Sequence, residues 1–192
     1  MKKILILNGH PNEAALCGSL AQKYFDGAKD AGFDVKLVHL SRLQFDPILH
    51  KGYLQIQELE PDLVQIQKDI LWSEHIVIVY PIWWGTVPAL LKGFLDRVLL
   101  PGFAFKYHKN NPFWDRLLKG RTGRLIITTD APWWWNKFVN WNPAIHMMKT
   151  TVLEFCGVKP VKVTQFDEVK NRKAPQIEAF LQKTYELGKK GI

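Results

Sequence analysis

Two apolar rhythms alternate along this chain: nearly continuous runs, and stretches whose apolar residues recur every third or fourth position. Lys2–Asn8 (KKILILN) reads as a buried parallel strand, because its apolar residues do not alternate with polar ones. Gly9-His10-Pro11-Asn12 breaks it, and a helix follows with Leu16, Leu20, Tyr24, Phe25 and Ala28 on one face, ended by Gly32. Phe33–Leu40 alternates and reads as a second strand, at an edge. Ser41–Glu60 is a long connection with some helical pattern near Leu54 and Ile56. Pro61 suits the first turn of a helix whose buried face carries Leu63, Ile66 and Ile70. Ile76–Tyr80 predicts strand three. The clearest helical pattern comes next, from about Val87, with Leu90, Leu91, Phe94, Leu95, Val98 and Leu99 against Lys92, Asp96 and Arg97. Pro101-Gly102 stops it, and Phe103–Gly120 reads as an irregular aromatic loop. Gly123–Thr129 is strand four. Pro143 opens a helix with Ile145, Met148, Val152 and Cys156 on one side, capped by Gly157. Lys159–Phe166 is strand five, and Ile177, Phe180, Leu181 and Tyr185 mark a last helix.

Strand and helix alternate throughout, which predicts an α/β three-layer sandwich, one domain over residues 1–192, around a five-stranded parallel sheet. The expected order is 2-1-3-4-5, with its switch point between strands one and three. Ligands of such sheets bind at the carboxyl ends of the strands, so three loops converge: Gly9–Cys17, Pro81–Thr86 and Thr128–Trp135.

Composition narrows the class. The chain has two cysteines, Cys17 and Cys156, outside any CxxC or His cluster, which predicts free thiols, a reducing compartment and no metal site. No run reaches membrane length, so the expectation is a cytoplasmic protein without a membrane span. Net charge is +8. The basic residues are spread without a nucleic-acid motif, so a solvated basic surface is expected and no nucleic-acid partner.

The loops carry the chemistry. Free N–H groups at a helix start bind phosphate, so His10 and the backbone of Leu16 and Cys17 are candidates for an anionic group. Taken alone, His10 reads equally as a backbone-bonded turn residue, and Cys17 as a mildly acidic thiol or a small packing residue. Pro81, Ile82, Trp83, Trp84 and Gly85 form an aromatic turn suited to a flat ligand such as a flavin, with backbone N–H groups around Trp83, Trp84 and Gly85 as donors. Thr128, Thr129, Asp130 and Ala131 stand at the end of strand four, where Asp130 reads as an active-site acid or a cap. Trp133, Trp134 and Trp135 cannot all be core and must meet a ligand or a subunit. No GxGxxG, GxxxxGK[ST], HExxH or GxSxG is present, which disfavours Rossmann dinucleotide binding, P-loop NTPases, zinc proteases and serine hydrolases.

These residues resemble a family. Gly9-His10-Pro11-Asn12, the run from Tyr80 to Val98 (YPIWWGTVPALLKGFLDRV) and Phe155-Cys156-Gly157 are similar to the flavodoxin-like NAD(P)H:quinone oxidoreductases, over nearly the whole chain. That group includes the mammalian quinone reductases, the bacterial modulator of drug activity B and the ancillary flavoproteins of potassium efflux systems. The resemblance implies a two-electron reductase in which a nicotinamide passes hydride to flavin N5, leaves, and a quinone or related aromatic acceptor takes the hydride from the same face. It implies that His10, Leu16 and Cys17 hold the phosphate end, that Ile82, Trp83, Trp84 and Gly85 line the ring, and that Thr128 to Ala131 contact its other edge. It also implies a homodimer with the site at the subunit interface, which would explain exposed tryptophans.

The chain departs from the family at Ala15, where a serine is frequent, and at Asp130-Ala131, where mammalian members carry Gly-Gly. The residue that handles the proton has no secure counterpart. His146, by neighbourhood, and Asp130 are the candidates. The chain is shorter than the mammalian enzymes, without the extension that contributes to FAD binding there, so FMN is expected, with FAD the alternative and NAD(P)H the co-substrate. A regulatory flavoprotein subunit of a membrane transporter is the alternative function. A flavodoxin-type electron carrier is disfavoured by the basic charge and the missing phosphate loop.

Overall fold

The computed structural model describes residues 1–109 and 111–192. Five strands form one parallel sheet: β1 (Lys3–Asn8), β2 (Asp34–His39), β3 (His75–Pro81), β6 (Thr122–Thr128) and β7 (Val161–Phe166). The order β2-β1-β3-β6-β7 is the predicted 2-1-3-4-5 by position, and β2 is an edge. A separate antiparallel pair, β4 (Phe105–His108) and β5 (Asn111–Arg116), lies between β3 and β6 in the chain. The helices are α1 (Leu16–Asp30), α2 (Pro61–Trp72), α3 (Ala89–Val98), α4 (Pro143–His146) and α5 (Ala174–Lys190).

Period-two geometry sends successive strand residues to opposite faces, and each face has its own core. Leu5, Leu7, Ile76, Ile78, Leu125 and Ile127 pack with Leu63 and Ile66 of α2 and Leu91 and Phe94 of α3. Ile4, Ile6, Val77, Val79 and Ile126 pack with Leu20, Ala21 and Tyr24 of α1, with Phe180 and Leu187 of α5 against them. Continuous apolar strands are the consequence of covering both faces.

The second layer needs glycine. A Cβ at Gly27 would lie 2.1 Å from Tyr185 O, and one at Gly188 would lie 2.2 Å from Tyr24 O. The α1 and α5 backbones therefore cross at a separation that excludes even alanine. Gly188→Ala is expected to cost about 1–3 kcal/mol through forced separation of the two helices. A urea unfolding midpoint unchanged from wild type would refute this.

Three local expectations are corrected. The stretch 103–120 is not wholly irregular: Phe105 pairs with Arg116 and Tyr107 with Trp114 in an antiparallel hairpin that sets two aromatic residues directly opposite each other. Trp114 stacks on Phe155 at 4.5 Å and its Nε1–H donates to Phe155 O at 2.9 Å, which docks the hairpin on the body. Asn110, within that stretch, lies outside the described residues. The helical pattern near Leu54 and Ile56 forms turns, and both side chains are exposed. The helix opened by Pro143 widens to π-type turns over Met147–Glu154 before Gly157, at φ 105°, ends it.

Candidate active site

The carboxyl ends of β1, β3, β6 and β7 meet in one place. Asn8 closes β1 fully buried: its Nδ2 lies 3.1 Å from His39 Nδ1, and its Oδ1 accepts from the His10 N–H at 3.2 Å. Gly9 N–H donates to Val79 O at 2.8 Å, and a Cβ there would stand 2.8 Å from a Leu91 methyl. Glycine is thus required for the loop to pass over α3. Asn12 N–H donates to His10 Nδ1 at 2.9 Å, and Asn12 Oδ1 accepts from Ala14 N–H at 3.0 Å. The turn reading of His10 holds. It is a backbone-bonded turn residue, and because Nδ1 is the acceptor, the neutral ring carries its proton on Nε2, free to donate. Burial lowers its pKa and favours that neutral form. The ring stands edge-on to Trp83, 5.3 Å between centroids.

This loop leads into α1 with no side-chain cap at Ala15. Among the described residues, the N–H groups of Leu16 and Cys17 have no acceptor. Two orphan donors and the positive end of a four-turn helix give this corner the means to hold an anion. Cys17 itself is a packing residue, not an acidic thiol: burial pushes its pKa up to about 11 despite its 3.3 Å contact with Thr128 Oγ1. Leu16 gives its side chain to the α1 core.

The aromatic turn hangs from β6. Ile82 N–H donates to Thr128 O at 2.8 Å. Trp83 N–H donates to Thr86 O and Thr86 N–H to Trp83 O, both at 2.9 Å. The two residues between them have positive φ, 51° at Trp84 and 75° at Gly85, as in a type I′ turn. Trp83 N–H is therefore committed inside the turn, and among the described residues the turn's free donors are Trp84 and Gly85 N–H, a correction to the expected set. A tryptophan in the left-handed region costs on the order of 1 kcal/mol or more. Trp84 holds that conformation while its side chain is fully exposed.

The third wall follows β6. Thr129 Oγ1 accepts from Ala131 N–H at 3.2 Å, and the buried Asn136 reaches the same oxygen at 3.5 Å. Asp130 Oδ1 accepts from Lys170 N–H at 2.9 Å, so it braces the loop after β7 and is a cap.

Together these walls enclose a cleft of about 280 Å³ lined by Pro81, Ile82, Trp83, Trp84, Gly85, Thr128, Thr129, Asp130 and Ala131, with Asn136, Asn140 and Val169. Nine of the twelve expected binding residues line it. Cys17 touches it through Thr128 and His10 through Trp83. His146 is exposed on α4 and is not in the lining. Asn136, Asn140 and Val169 were missed. Val169 follows the carboxyl end of β7, a place the strand-end rule itself points to. The two asparagines carried no sequence signal, because the π-helical turn Trp135–Val139, which holds Asn136 and is followed by Asn140 as its C-cap, has no periodicity of its own.

Residues 2–187 match the model of a family described as flavodoxin-like fold. The chain is 32% identical to an NAD(P)H oxidoreductase of Haemophilus influenzae over 190 residues, covering 94% of this chain and 93% of that one. It is 28% identical to the human ribosyldihydronicotinamide dehydrogenase [quinone] over 184 residues, 82% of this chain and 78% of that one. Among solved structures, an FMN-dependent NADH-azoreductase of Bacillus anthracis in complex with FMN superposes with a TM-score of 0.75 at 17% identity, over 99% of each chain, a likeness of fold. The chain thus belongs to the flavodoxin-like fold family, in the group that contains the NAD(P)H:quinone oxidoreductases.

Proposed function

We propose that this protein is a flavin-dependent NAD(P)H:quinone oxidoreductase, with FMN as its flavin. The observation that carries the reading is two sets of free donors near one aromatic cleft: Trp84 and Gly85 N–H in the tryptophan turn that lines it, and Leu16 and Cys17 N–H at a helix start that meets it through the Cys17–Thr128 contact. An anionic tail suits the helix start, and the carbonyl edge of a flat heterocycle the turn. A bound flavin would supply the hydride relay between a nicotinamide and an aromatic acceptor. The chain's own residues bind and orient. Leu16, Cys17 and the His10 Nε2–H hold the phosphate end, and Thr128 and Thr129 bound the opposite edge. Trp83 and Trp84 shield the ring from water and offer stacking surface to each substrate in turn. His10 remains a neutral donor at pH 7, since burial lowers its pKa. None of these residues has to transfer a proton for the ring to be held.

The quinone class rests on the family and on the human relative's name. We also infer a homodimer. Trp133, Trp134, Trp135, Phe138 and Trp141 stand exposed beside the cleft, an apolar surface that a second copy would cover. Sedimentation of a monomer at micromolar concentration would exclude it. Buried free thiols at Cys17 and Cys156 suit a cytoplasmic protein. Among the described residues no helix is long and apolar enough to cross a membrane.

The test is a visible spectrum of the purified protein, chromatography of heat-released flavin, and NADPH addition without oxygen. A yellow protein that bleaches, releases FMN, and turns over with menadione is expected. Failure to bind any flavin on reconstitution would overturn the reading, and bleaching without turnover would remove the quinone acceptor.

A further inference from the structure

The loop that leads into α1 is tied at its base to the edge strand of the sheet. β1 and β2 pair in parallel, and their last residues, Asn8 and His39, stand side by side. Asn8 is fully buried, and 16% of the His39 side chain is exposed. Asn8 Nδ2 lies 3.1 Å from His39 Nδ1, and Asn8 Oδ1 accepts from His10 N–H at 3.2 Å.

The direction of these bonds is fixed. A backbone N–H only donates, so the Asn8 oxygen faces His10 and its NH₂ faces His39. His39 Nδ1 therefore accepts, and the neutral ring carries its proton on Nε2. From His10 the bonds continue in one sense: His10 Nδ1 accepts from Asn12 N–H at 2.9 Å, and Asn12 Oδ1 accepts from Ala14 N–H at 3.0 Å. The start of α1 at Leu16 follows directly.

A protonated His39 does not fit this relay. Both ring nitrogens then donate, and Nδ1–H meets the Asn8 NH₂. Were the Asn8 amide to turn over and accept from it, its NH₂ would meet His10 N–H instead. Either way one of two bonds at Asn8 is lost, and a buried donor is left without its partner. An acceptor for the new proton stands in the loop itself: Glu13 Oε2 is 3.6 Å from Nδ1. Arg42 Nε donates to the same oxygen at 2.7 Å. His39, Glu13 and Arg42 line a depression of about 590 Å³, whose other charged groups are Lys23 and Asp26 of α1. Burial lowers the His39 pKa, with Glu13 opposing and Arg42 adding to the effect. The ring is neutral at pH 7, and its charging falls on the acid side of the ordinary histidine value.

We propose that neutral His39 is a positioning residue for the loop from Gly9 to Cys17, holding it through Asn8, and that protonation of His39 releases the loop and weakens flavin binding. The effect on affinity rests on the flavin reading above; the relay itself does not.

The first measurement is a ¹⁵N–¹H correlation spectrum of imidazole and side-chain amide groups in the protein as purified, from about pH 8 to about pH 5. His39, one of six histidines, is assigned by its loss in His39→Asn. It is expected in the Nε2–H form at the alkaline end, and the Asn8 NH₂ signals are expected to shift with the midpoint of His39. The second is flavin affinity over the same range, by fluorescence. Asparagine carries an oxygen on Cγ, where histidine carries Nδ1, and does not titrate. Wild type is expected to lose about fivefold more affinity across the range than His39→Asn, the equivalent of one neutral hydrogen bond. His10 and the flavin phosphate titrate in both proteins alike, so the difference reports His39. A proton on Nδ1 of neutral His39, an Asn8 amide that does not follow the titration, a His39 still neutral at the acid end, or equal pH dependence in the two proteins would each overturn the proposal. A relay that holds in a protein that takes up no flavin would refute the flavin reading alone.

Discussion

Arg97→Met is expected to lower the stability of this protein by about 3 kcal/mol, because it removes one partner of a buried ion pair. Arg97 sits in α3 with none of its side chain exposed. Its guanidinium donates to Glu60 Oε2 at 2.9 Å and Oε1 at 3.2 Å, to Glu58 O at 2.8 Å, and to Asp46 O. Four residues earlier on the same face, Gly93 lets the chain at Pro47 come so close that a Cβ would stand 2.5 Å away. One arginine and one glycine therefore clamp the long connection between β2 and α2 onto α3. Methionine fills the arginine's apolar volume but leaves two carbonyl oxygens and a carboxylate without their donor. Glu60 is partly exposed and can be hydrated, which keeps the loss near the lower end for a broken buried pair. At this chain length the melting temperature would fall by roughly 10 °C. Thermal unfolding followed by circular dichroism measures it, and a fall of less than about 2 °C, under 1 kcal/mol, would mean that the clamp contributes little.

Leu16→Pro is expected to weaken flavin binding about tenfold or more while leaving α1 in place. Leu16 is the first residue of the helix, where proline is tolerated because its N–H has no helical partner. Ala15 already has φ −71° and ψ 167°, the extended conformation that a residue before proline prefers. The substitution thus deletes one orphan donor without breaking a backbone bond. A charge-assisted hydrogen bond to a phosphate is worth about 1.5–3 kcal/mol. Flavin fluorescence on reconstitution gives the affinity, and far-ultraviolet circular dichroism checks the helix. Unchanged affinity with an intact helix would mean that the α1 start does not hold the cofactor's anionic end. Loss of helix would be read through Leu16→Ala, which keeps the N–H and should bind flavin as wild type does.

Much of this protein was legible in one dimension. Ile4–Leu7, Ile76–Tyr80 and Leu125–Ile127 are unbroken apolar runs because each strand is covered on both faces, and that burial is written locally in residue type. The α3 stripe from Val87 to Val98 and the glycines and prolines that end each element are local in the same sense. The strand order follows from the alternation of elements, and it places the carboxyl-end loops together without any knowledge of their side chains.

What depends on partners distant in sequence was settled only by the tertiary structure. The hairpin from Phe105 to Arg116 exists because Trp114 finds Phe155, some forty residues away. Asp130 is a cap because Lys170 N–H stands within reach, and Trp83 N–H is lost to the cofactor because Thr86 folds back on it. Cys17, at a helix start where a thiol is commonly acidified, is instead raised by burial beneath Thr128. Residue type and spacing determine which segments bury their faces, since the hydrophobic effect acts on each side chain's own surface. Which donors stay free is decided by direction and distance between segments, and hydrogen bonds, unlike burial, are made or lost over a fraction of an ångström.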